Sequence, residues 1–134
     1  MSDATLTLSE QECWTRLAEE ELGRLAYHLT DEVHIVPVNY VVDRGRIVFR
    51  TAEGSKLLGV VMDSDVAFEI DHVDRGSDTA WGVVARGTAE LLEGTDARQV
   101  EGLGPRPWVG EEKFSTVAVA VTEVSGRQFQ LLRP

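Results

Sequence analysis

A short stretch, FRTAEGSKL at residues 49–57, combines the residue types of an anion-binding site. Arg50 and Lys56 supply positive charge, Thr51 and Ser55 supply hydroxyl groups, and a glycine between them permits a tight turn. A helix that begins at Ser55 would add free backbone amides and the positive end of its dipole. The sequence therefore predicts a site for a negatively charged group, although a capped helix among solvated surface charges would give the same pattern.

The whole chain, in contrast, is acidic. It has 23 Asp and Glu residues against 13 Lys and Arg, which gives a formal net charge of −10. The long-range field of such a molecule repels nucleic-acid phosphates and anionic membrane surfaces, so neither is expected as a partner. Four of the 13 cations nevertheless fall within residues 44–56, where short-range contacts to a small anion outweigh a net charge that is screened over about 8–10 Å.

Length and composition indicate one soluble globular domain. The chain has 134 residues, of which 43% are hydrophobic and 27% charged, so we expect a single domain that spans residues 1–134. Its one cysteine, Cys13, has no partner for an internal disulfide, and no apolar run approaches the roughly 20 residues of a membrane helix. The first residues also lack the pattern of a signal peptide. These features predict a cytoplasmic protein.

Few other residues carry a chemical signal. The three histidines show no spacing typical of a metal site, so no metal is predicted: His28, His34 and His72. Cys13 lies on the apolar face of a predicted helix, which favours an inert buried thiol over a nucleophile. Glu69 and Asp71 share one face of a predicted strand and could act as paired carboxylates. Because nothing else in the sequence converges on them, a solvated strand face is the favoured interpretation.

The surrounding pattern predicts a mainly β fold. A first helix over residues 9–22 opens with a capping box formed by Ser9 and Glu12 and ends at Gly23. Further helices are expected over residues 55–64 and, from Thr95, over 94–104. Strands are expected over 22–29, 33–42, 46–51, 66–73, 79–92 with a bend at Gly82 or Gly87, and from 114 to 132 with a turn at Ser125 and Gly126.

About six strands with few covering helices predict a six-stranded antiparallel barrel with short flanking helices. The strands at 33–42 and 46–51 form a hairpin around DRGR, which is the firmest local prediction. Within that hairpin, Pro37 lacks a backbone donor. Its position is therefore predicted to be a strand edge, a bulge, or a place where the backbone faces a ligand.

Three segments in this order resemble one known family: HIVPVNYVVDRGRIVFRTAEGSKL (34–57), VAFEIDHV (66–73) and WGVVARGTAEL (81–91). They resemble the pyridoxamine 5'-phosphate oxidase-like flavoproteins, and most closely the small actinobacterial and nitroimidazole-resistance-type members. The resemblance covers residues 20–92 well and the last third of the chain poorly. It implies an FMN-binding split β-barrel, a homodimer, and FMN held at the dimer interface by both chains.

The resemblance also implies site residues. The FMN phosphate would lie on Arg50, Thr51, Ser55 and Lys56, and Pro37, Val38 and Asn39 would lie along the isoalloxazine ring. Trp81, Gly82 and Val83 match the place where the partner chain contacts the flavin, although Gly82 lacks the side-chain donor of true pyridoxamine phosphate oxidases. Trp108 follows Pro105 and Pro107 in a predicted loop, where it is either a hydrophobic anchor or a wall of the substrate pocket.

The expected function is an FMN-dependent oxidoreductase of the flavin reductase, nitroreductase or oxidase type, acting on an unidentified small substrate. Oxidation of vitamin B6 is disfavoured because the C-terminal GRQFQLLRP lacks the further arginines and the histidine that grip the phosphate of that substrate. Two alternatives stay open. The same fold could bind the deazaflavin F420 or haem, or the protein could bind or sequester flavin without turnover, since no acid, base or nucleophile is evident.

Overall fold

The computed structural model describes residues 5–52, 56–61, 64–101 and 114–132. The strands are β1 (Thr5–Thr7), β2 (Leu22–Leu29), β3 (Glu32–Asp43), β4 (Arg46–Ala52), β5 (Asp65–Asp74), β6 (Thr79–Leu92) and β7 (Phe114–Gln130). The helices in these ranges are α1 (Glu10–Glu19), α2 (Lys56–Val61) and α3 (Gly94–Glu101). The expected antiparallel β fold with short flanking helices is confirmed.

All strands belong to one sheet in the order β1-β7-β4-β3-β2-β5-β6, and every pairing is antiparallel. Because β6 also pairs with β7, strands β2 to β7 close into a barrel. The expected count of six strands is wrong by one: β1 adds a seventh, with Thr5 opposite Phe129 at the end of β7. Three residues are too few to show a periodic pattern, and the sequence therefore gave no sign of β1.

The barrel is split where β3 changes partners. Residues 32–39 of β3 pair with β2, whereas residues 40–43 pair with β4. The strands β3 and β4 therefore separate beyond the Tyr40–Phe49 pair. Pro37 lies in the part of β3 that has a strand partner on one side only among the described residues. Of the three alternatives predicted for this proline, the strand edge agrees with the observed pairing.

Large apolar side chains fill the barrel interior. Phe49 and Phe68 are fully buried, and the ring of Tyr40 meets that of Phe68 edge-on with centroids 4.7 Å apart. Helix α1 closes one end with Leu17, whose backbone oxygen accepts a hydrogen bond of 2.6 Å from the Tyr40 hydroxyl. Burial raises the pKa of Tyr40 well above its ordinary value. The thiol of Cys13 is also buried under α1, as the sequence predicted.

The start of α1 is as expected and its end is not. The Ser9 hydroxyl accepts from the Glu12 amide at 3.1 Å, and the Glu12 carboxylate accepts from the Ser9 amide at 2.9 Å. Gly23, which was expected to terminate the helix, instead belongs to β2. The ring of Phe68 packs directly against its backbone and occupies the space that a Cβ atom would need. This glycine is therefore required for close packing inside the barrel.

The predicted turn at Ser125 and Gly126 is also wrong, because β7 runs without interruption from Phe114 to Gln130. A Cβ atom at Gly126 would lie 2.8 Å from the Cys13 sulfur, so this glycine allows α1 to approach the strand. Strand β6 is likewise continuous from Thr79 to Leu92, and its register against β7 shifts between Arg86 and Gly87, next to one of the two glycines where a bend was predicted.

Helix α3 packs on the outside of the barrel. Its Val100 is buried against Val48 of β4 and Ala118 of β7. The helix expected over 94–104 is thus confirmed from Gly94 to Glu101, and its last residues lie outside the described ranges. Across the described residues, no helix is long and apolar enough to cross a membrane.

Candidate functional site

The end of β4 carries the first two residues of the predicted anion site. Arg50 lies opposite Thr116 of β7, and Thr51 lies opposite Ser115. The Arg50 guanidinium carbon stands 4.5 Å from the centroid of the Phe114 ring, which holds the cation at this end of the strand. Arg50 and Thr116 therefore share one face of the sheet and Thr51 and Ser115 share the other, all at the edge of β4 that β3 leaves open. These are donors that suit a phosphate.

The other two predicted anion ligands are not placed by the structure. Ser55 lies outside the described residues, and so does the side chain of Lys56, although its backbone begins α2. Trp108, the predicted wall of a substrate pocket, also lies outside them. Their roles stay predictions from the sequence.

The stretch Pro37–Asn39 lies on the other side of the split from Arg50. Because Tyr40 pairs with Phe49, the next residues on the two separating strands are Asn39 and Arg50. Pro37 is exposed and Asn39 half-buried on the outer face of the sheet, whereas Val38 packs against the barrel core. The fold thus brings residues 37–39 and two of the predicted phosphate ligands, Arg50 and Thr51, to the same opening.

The three residues of the predicted partner contact point to different faces of β6. Trp81 is 9% exposed and belongs to the core, with the guanidinium carbon of Arg16 from α1 4.7 Å from its ring centroid. Val83 is fully buried inside the barrel. Only Gly82 lies on the outer face, where a Cβ atom would meet nothing closer than 3.7 Å. A Cβ atom at this position would therefore make ordinary contacts with Ile70 and Asp71 of β5 and would not clash.

Sheet order separates this glycine from the other predicted contacts. Pro37 on β3 and Gly82 on β6 are separated by β2 and β5, which makes three inter-strand steps. At about 4.8 Å a step, the two residues are roughly 14 Å apart across the face. The predicted contacts therefore form two groups, one at the split and one on β6.

A cluster of three charged residues, Arg24, Glu69 and Asp71, lies between these groups on the same outer face. Arg24 of β2 is opposite Pro37 on one side and opposite Glu69 of β5 on the other, and Asp71 is opposite Gly82. The Arg24 Nε donates to the Glu69 carboxylate at 2.8 Å, and its Nη2 lies 3.0 Å from an Asp71 oxygen. One guanidinium therefore holds two carboxylates together.

One carboxylate of the cluster, Glu69, has a raised pKa. Burial raises the pKa of Glu69, and its hydrogen bond with Asp71 raises it further, while the hydrogen bond from Arg24 acts in the opposite direction. The pKa of Arg24 is raised chiefly by its hydrogen bond to Glu69. Glu69 thus keeps its proton to a higher pH than an isolated glutamate. The sequence named both carboxylates but not Arg24, since only the strand register shows that it lies beside them.

Exposed aliphatic side chains surround this cluster. By strand alternation they share its outer face, and they are 40% to 69% exposed: Leu22, Val33, Ile35 and Val73. We call the face formed by these four residues, Pro37 and the charged cluster the apolar face. Such a patch with charges at its centre is typical of a surface that binds a ligand or another protein.

A separate groove of about 520 Å³ opens at the far end of this face. It lies where β2 and β5 diverge beyond the Ala26–Ala67 pair, and small side chains form part of its lining. Arg86 also lines it. The volume is within the range of small-molecule sites, but the groove shares no residue with the split.

The family model described as pyridoxamine 5'-phosphate oxidase matches residues 9–128. Among curated proteins, the uncharacterized protein Rv3129 of Mycobacterium tuberculosis is 38% identical over 86 residues, which cover 63% of this chain and 76% of that protein. The match thus extends well beyond the segments around the split.

Two solved structures are similar over nearly their whole length. A protein from Corynebacterium glutamicum, provisionally described as a pyridoxamine 5'-phosphate oxidase, is 38% identical with a TM-score of 0.89 and covers 100% of this chain and 99% of its own. A protein from Mycobacterium smegmatis described as FAD binding is 34% identical with a TM-score of 0.85 and covers 95% and 100%.

Proposed function

Because this chain belongs to the pyridoxamine 5'-phosphate oxidase family, we propose that it binds a flavin nucleotide at the split and acts as a flavin-dependent oxidoreductase on a small organic substrate. The observation that carries the proposal is the divergence of β3 from β4, which sets Asn39 beside Arg50 at an open edge. A bound flavin would supply the redox chemistry by taking up or releasing a hydride. The protein would position the ring and the phosphate.

The residues around the split fit such a ligand. Arg50, on the same face as the Thr116 hydroxyl, and the end of β4 at Thr51 would hold the phosphate nearest the ribityl chain, and the backbone of 37–39 would face the polar edge of the ring. FMN, which has a single phosphate, is the first candidate. FAD is the second candidate, because the 34% identical Mycobacterium smegmatis protein is described as FAD binding.

Flavin binding is tested first by the visible absorption spectrum of the purified protein and then by titration of apoprotein with FMN, FAD, F420 and haem side by side. We expect flavin bands and tightest binding of FMN or FAD. Tightest binding of F420 or haem would mean that the same fold binds a different cofactor. A colourless protein that binds none of the four would overturn the proposal.

The contribution of Arg50 is tested by Arg50→Ala. A charge-assisted hydrogen bond contributes about 1.5–3 kcal/mol, so FMN affinity should fall about 10- to 100-fold. Arg75→Ala is the matched control, because Arg75 is an exposed arginine in the turn between β5 and β6. Equal affinity of both variants would place the phosphate elsewhere.

We further propose that the protein is a homodimer in which each flavin is contacted by both chains. Two features support this: the roughly 14 Å between Pro37 and Gly82 favours contributions from two chains, and a second copy would cover the exposed aliphatic side chains of the apolar face. Ile35→Asp should therefore give monomers with weakened FMN binding, measured by sedimentation and by titration.

The matched control for this variant is Leu6→Asp. Leu6 on β1 is 61% exposed and Ile35 is 66% exposed, so both changes place a charge on an exposed aliphatic position. Of these two residues, Ile35 alone lies on the apolar face. A wild-type monomer, or a dimer that both variants preserve, would overturn the proposed assembly.

Turnover is a separate question from binding. Oxidation of reduced nicotinamide by the flavin-loaded protein, measured with a panel of nitro compounds, quinones and dioxygen, distinguishes an oxidoreductase from a protein that only binds or sequesters flavin. An oxidoreductase is expected to stimulate the oxidation of reduced nicotinamide. Tight flavin binding without stimulated oxidation would favour a protein that only binds or sequesters flavin.

A further inference from the structure

The charged cluster on the apolar face has one cation for two anions. With both carboxylates ionised, Arg24, Glu69 and Asp71 carry one uncompensated negative charge, and they carry it at the centre of an exposed aliphatic patch. The groups that face Glu69 from the neighbouring strands do not compensate it. Val84 of β6 lies opposite Glu69, and Pro37 of β3 lies beyond Arg24.

Two further cations lie on the same outer face. Arg86 of β6 lies opposite Ala67, two residues before Glu69, and forms no ion pair with the cluster among the described residues. Arg127 of β7 lies opposite Gly82, one strand beyond Asp71, and forms no ion pair with the cluster in the part of the chain that the structure describes. Glu69 is the more buried of the two carboxylates, with 34% of its side chain exposed against 56% for Asp71. Any further loss of water therefore affects Glu69 most.

We propose that Arg24, Glu69 and Asp71 form a proton-binding site on the ligand face, and that Glu69 binds a proton from solvent when a flavin ring covers the cluster. The inference rests on the proposed function, since Pro37, the predicted ring contact, is the direct neighbour of Arg24 in the β2–β3 ladder. An apolar ring over the cluster excludes water from an uncompensated negative charge, and this desolvation costs free energy. Binding of one proton neutralises the charge and avoids that cost. Flavin binding is thereby coupled to proton uptake.

The sign of the coupling follows from the geometry. Burial and the shared hydrogen bond raise the pKa of Glu69 in the free protein, and a covering ring would raise it again. Between these two pKa values the complex binds more protons than the free protein. Flavin affinity should therefore rise as the pH falls through that window, by at most about tenfold per pH unit.

The experiment is calorimetric titration of apoprotein with FMN in buffers of different ionisation enthalpy between pH 5 and 8, which counts the protons taken up per FMN bound. The FMN phosphate also titrates, with a second pKa of about 6, and a matched set of variants removes its contribution. The set is wild type, Glu69→Gln and Glu90→Gln. Glu90 is an exposed carboxylate six residues beyond Val84 on β6.

Wild type and Glu90→Gln are expected to take up more protons than Glu69→Gln, with a difference that approaches about one proton per site. If Glu69→Gln does not fold, Asp71→Asn serves instead, because it removes the second negative charge and should lower the uptake as well. Equal proton counts in all folded proteins would overturn this inference and leave the proposed function standing. Failure of wild type to bind either FMN or FAD would overturn both.

Discussion

Two clusters on the outer surface of the barrel each place one arginine between two carboxylates, and they differ in charge balance. Arg46 donates to Asp43 at 2.7 Å and to Asp96 of α3 at 3.1 Å, and Arg44 contacts the same two carboxylates. This first cluster has two cations for two anions. The cluster of Arg24, Glu69 and Asp71 has one cation for two anions.

The proton affinities of the carboxylates follow this balance. Hydrogen bonds from Arg46 lower the pKa values of Asp43 and Asp96, whereas burial and the hydrogen bond with Asp71 raise the pKa of Glu69. The balanced cluster stabilises the fold, because it attaches α3 to the β3–β4 hairpin. The unbalanced cluster contributes little to any such attachment and keeps a negative charge that a proton or a ligand can neutralise.

The comparison is tested most strongly by Arg46→Met. The Arg46 side chain is only 15% exposed, and its loss leaves two carboxylates without their main partner at the base of α3. We expect a loss of about 2 kcal/mol in the free energy of unfolding, measured by urea denaturation. Arg44→Met is the matched control; with 63% of that side chain exposed, its cost should stay below about 0.5 kcal/mol. Equal costs would show that burial of Arg46 does not matter.

The next test is Arg24→Met, which should cost less, at most about 1 kcal/mol at pH 7. Its side chain is 33% exposed and holds together two carboxylates that repel each other. The cost should shrink as the pH falls, because Glu69, whose pKa is raised, binds a proton and the repulsion between the two carboxylates weakens. Should Arg24→Met destabilise the protein as much as Arg46→Met does, the distinction between a structural and a ligand-facing cluster would fail.

The sequence predicted most of the fold because the relevant signals are local. Ser9 and Glu12 determine where α1 begins, and strand alternation places Phe49 inside the barrel. The errors concern non-local packing. Gly23 and Gly126 read as a helix end and a turn, since a glycine permits either; the ring of Phe68 and the sulfur of Cys13, which explain them, are distant in sequence.

The same limit applies to the candidate site. Family motifs named residues 37–39 and 50–51, and the strand register brings them together at the split. The register was also needed to see that Ser115 and Thr116 lie opposite Thr51 and Arg50, although their polar side chains at the start of an apolar strand were a usable signal. Likewise Glu69 and Asp71 looked like a solvated pair until β2 placed Arg24 between them.

The smallest predicted effect is the pH dependence of stability, and it has opposite signs in the two clusters. For Asp43 the folded pKa is lowered, so its contribution is present above the unfolded pKa and is lost as the pH falls through the folded one. For Glu69 the folded pKa is raised, so the folded state binds the extra proton and stability falls as the pH rises through that window. The effect of Glu69→Gln on the free energy of unfolding should therefore be more stabilising at pH 7 than at pH 4, by about 0.5 kcal/mol or less after solvent screening. Urea denaturation of both proteins at the two pH values measures the difference. A change of the opposite sign would mean that Arg24 alone compensates both carboxylates, and the two clusters would then be equivalent.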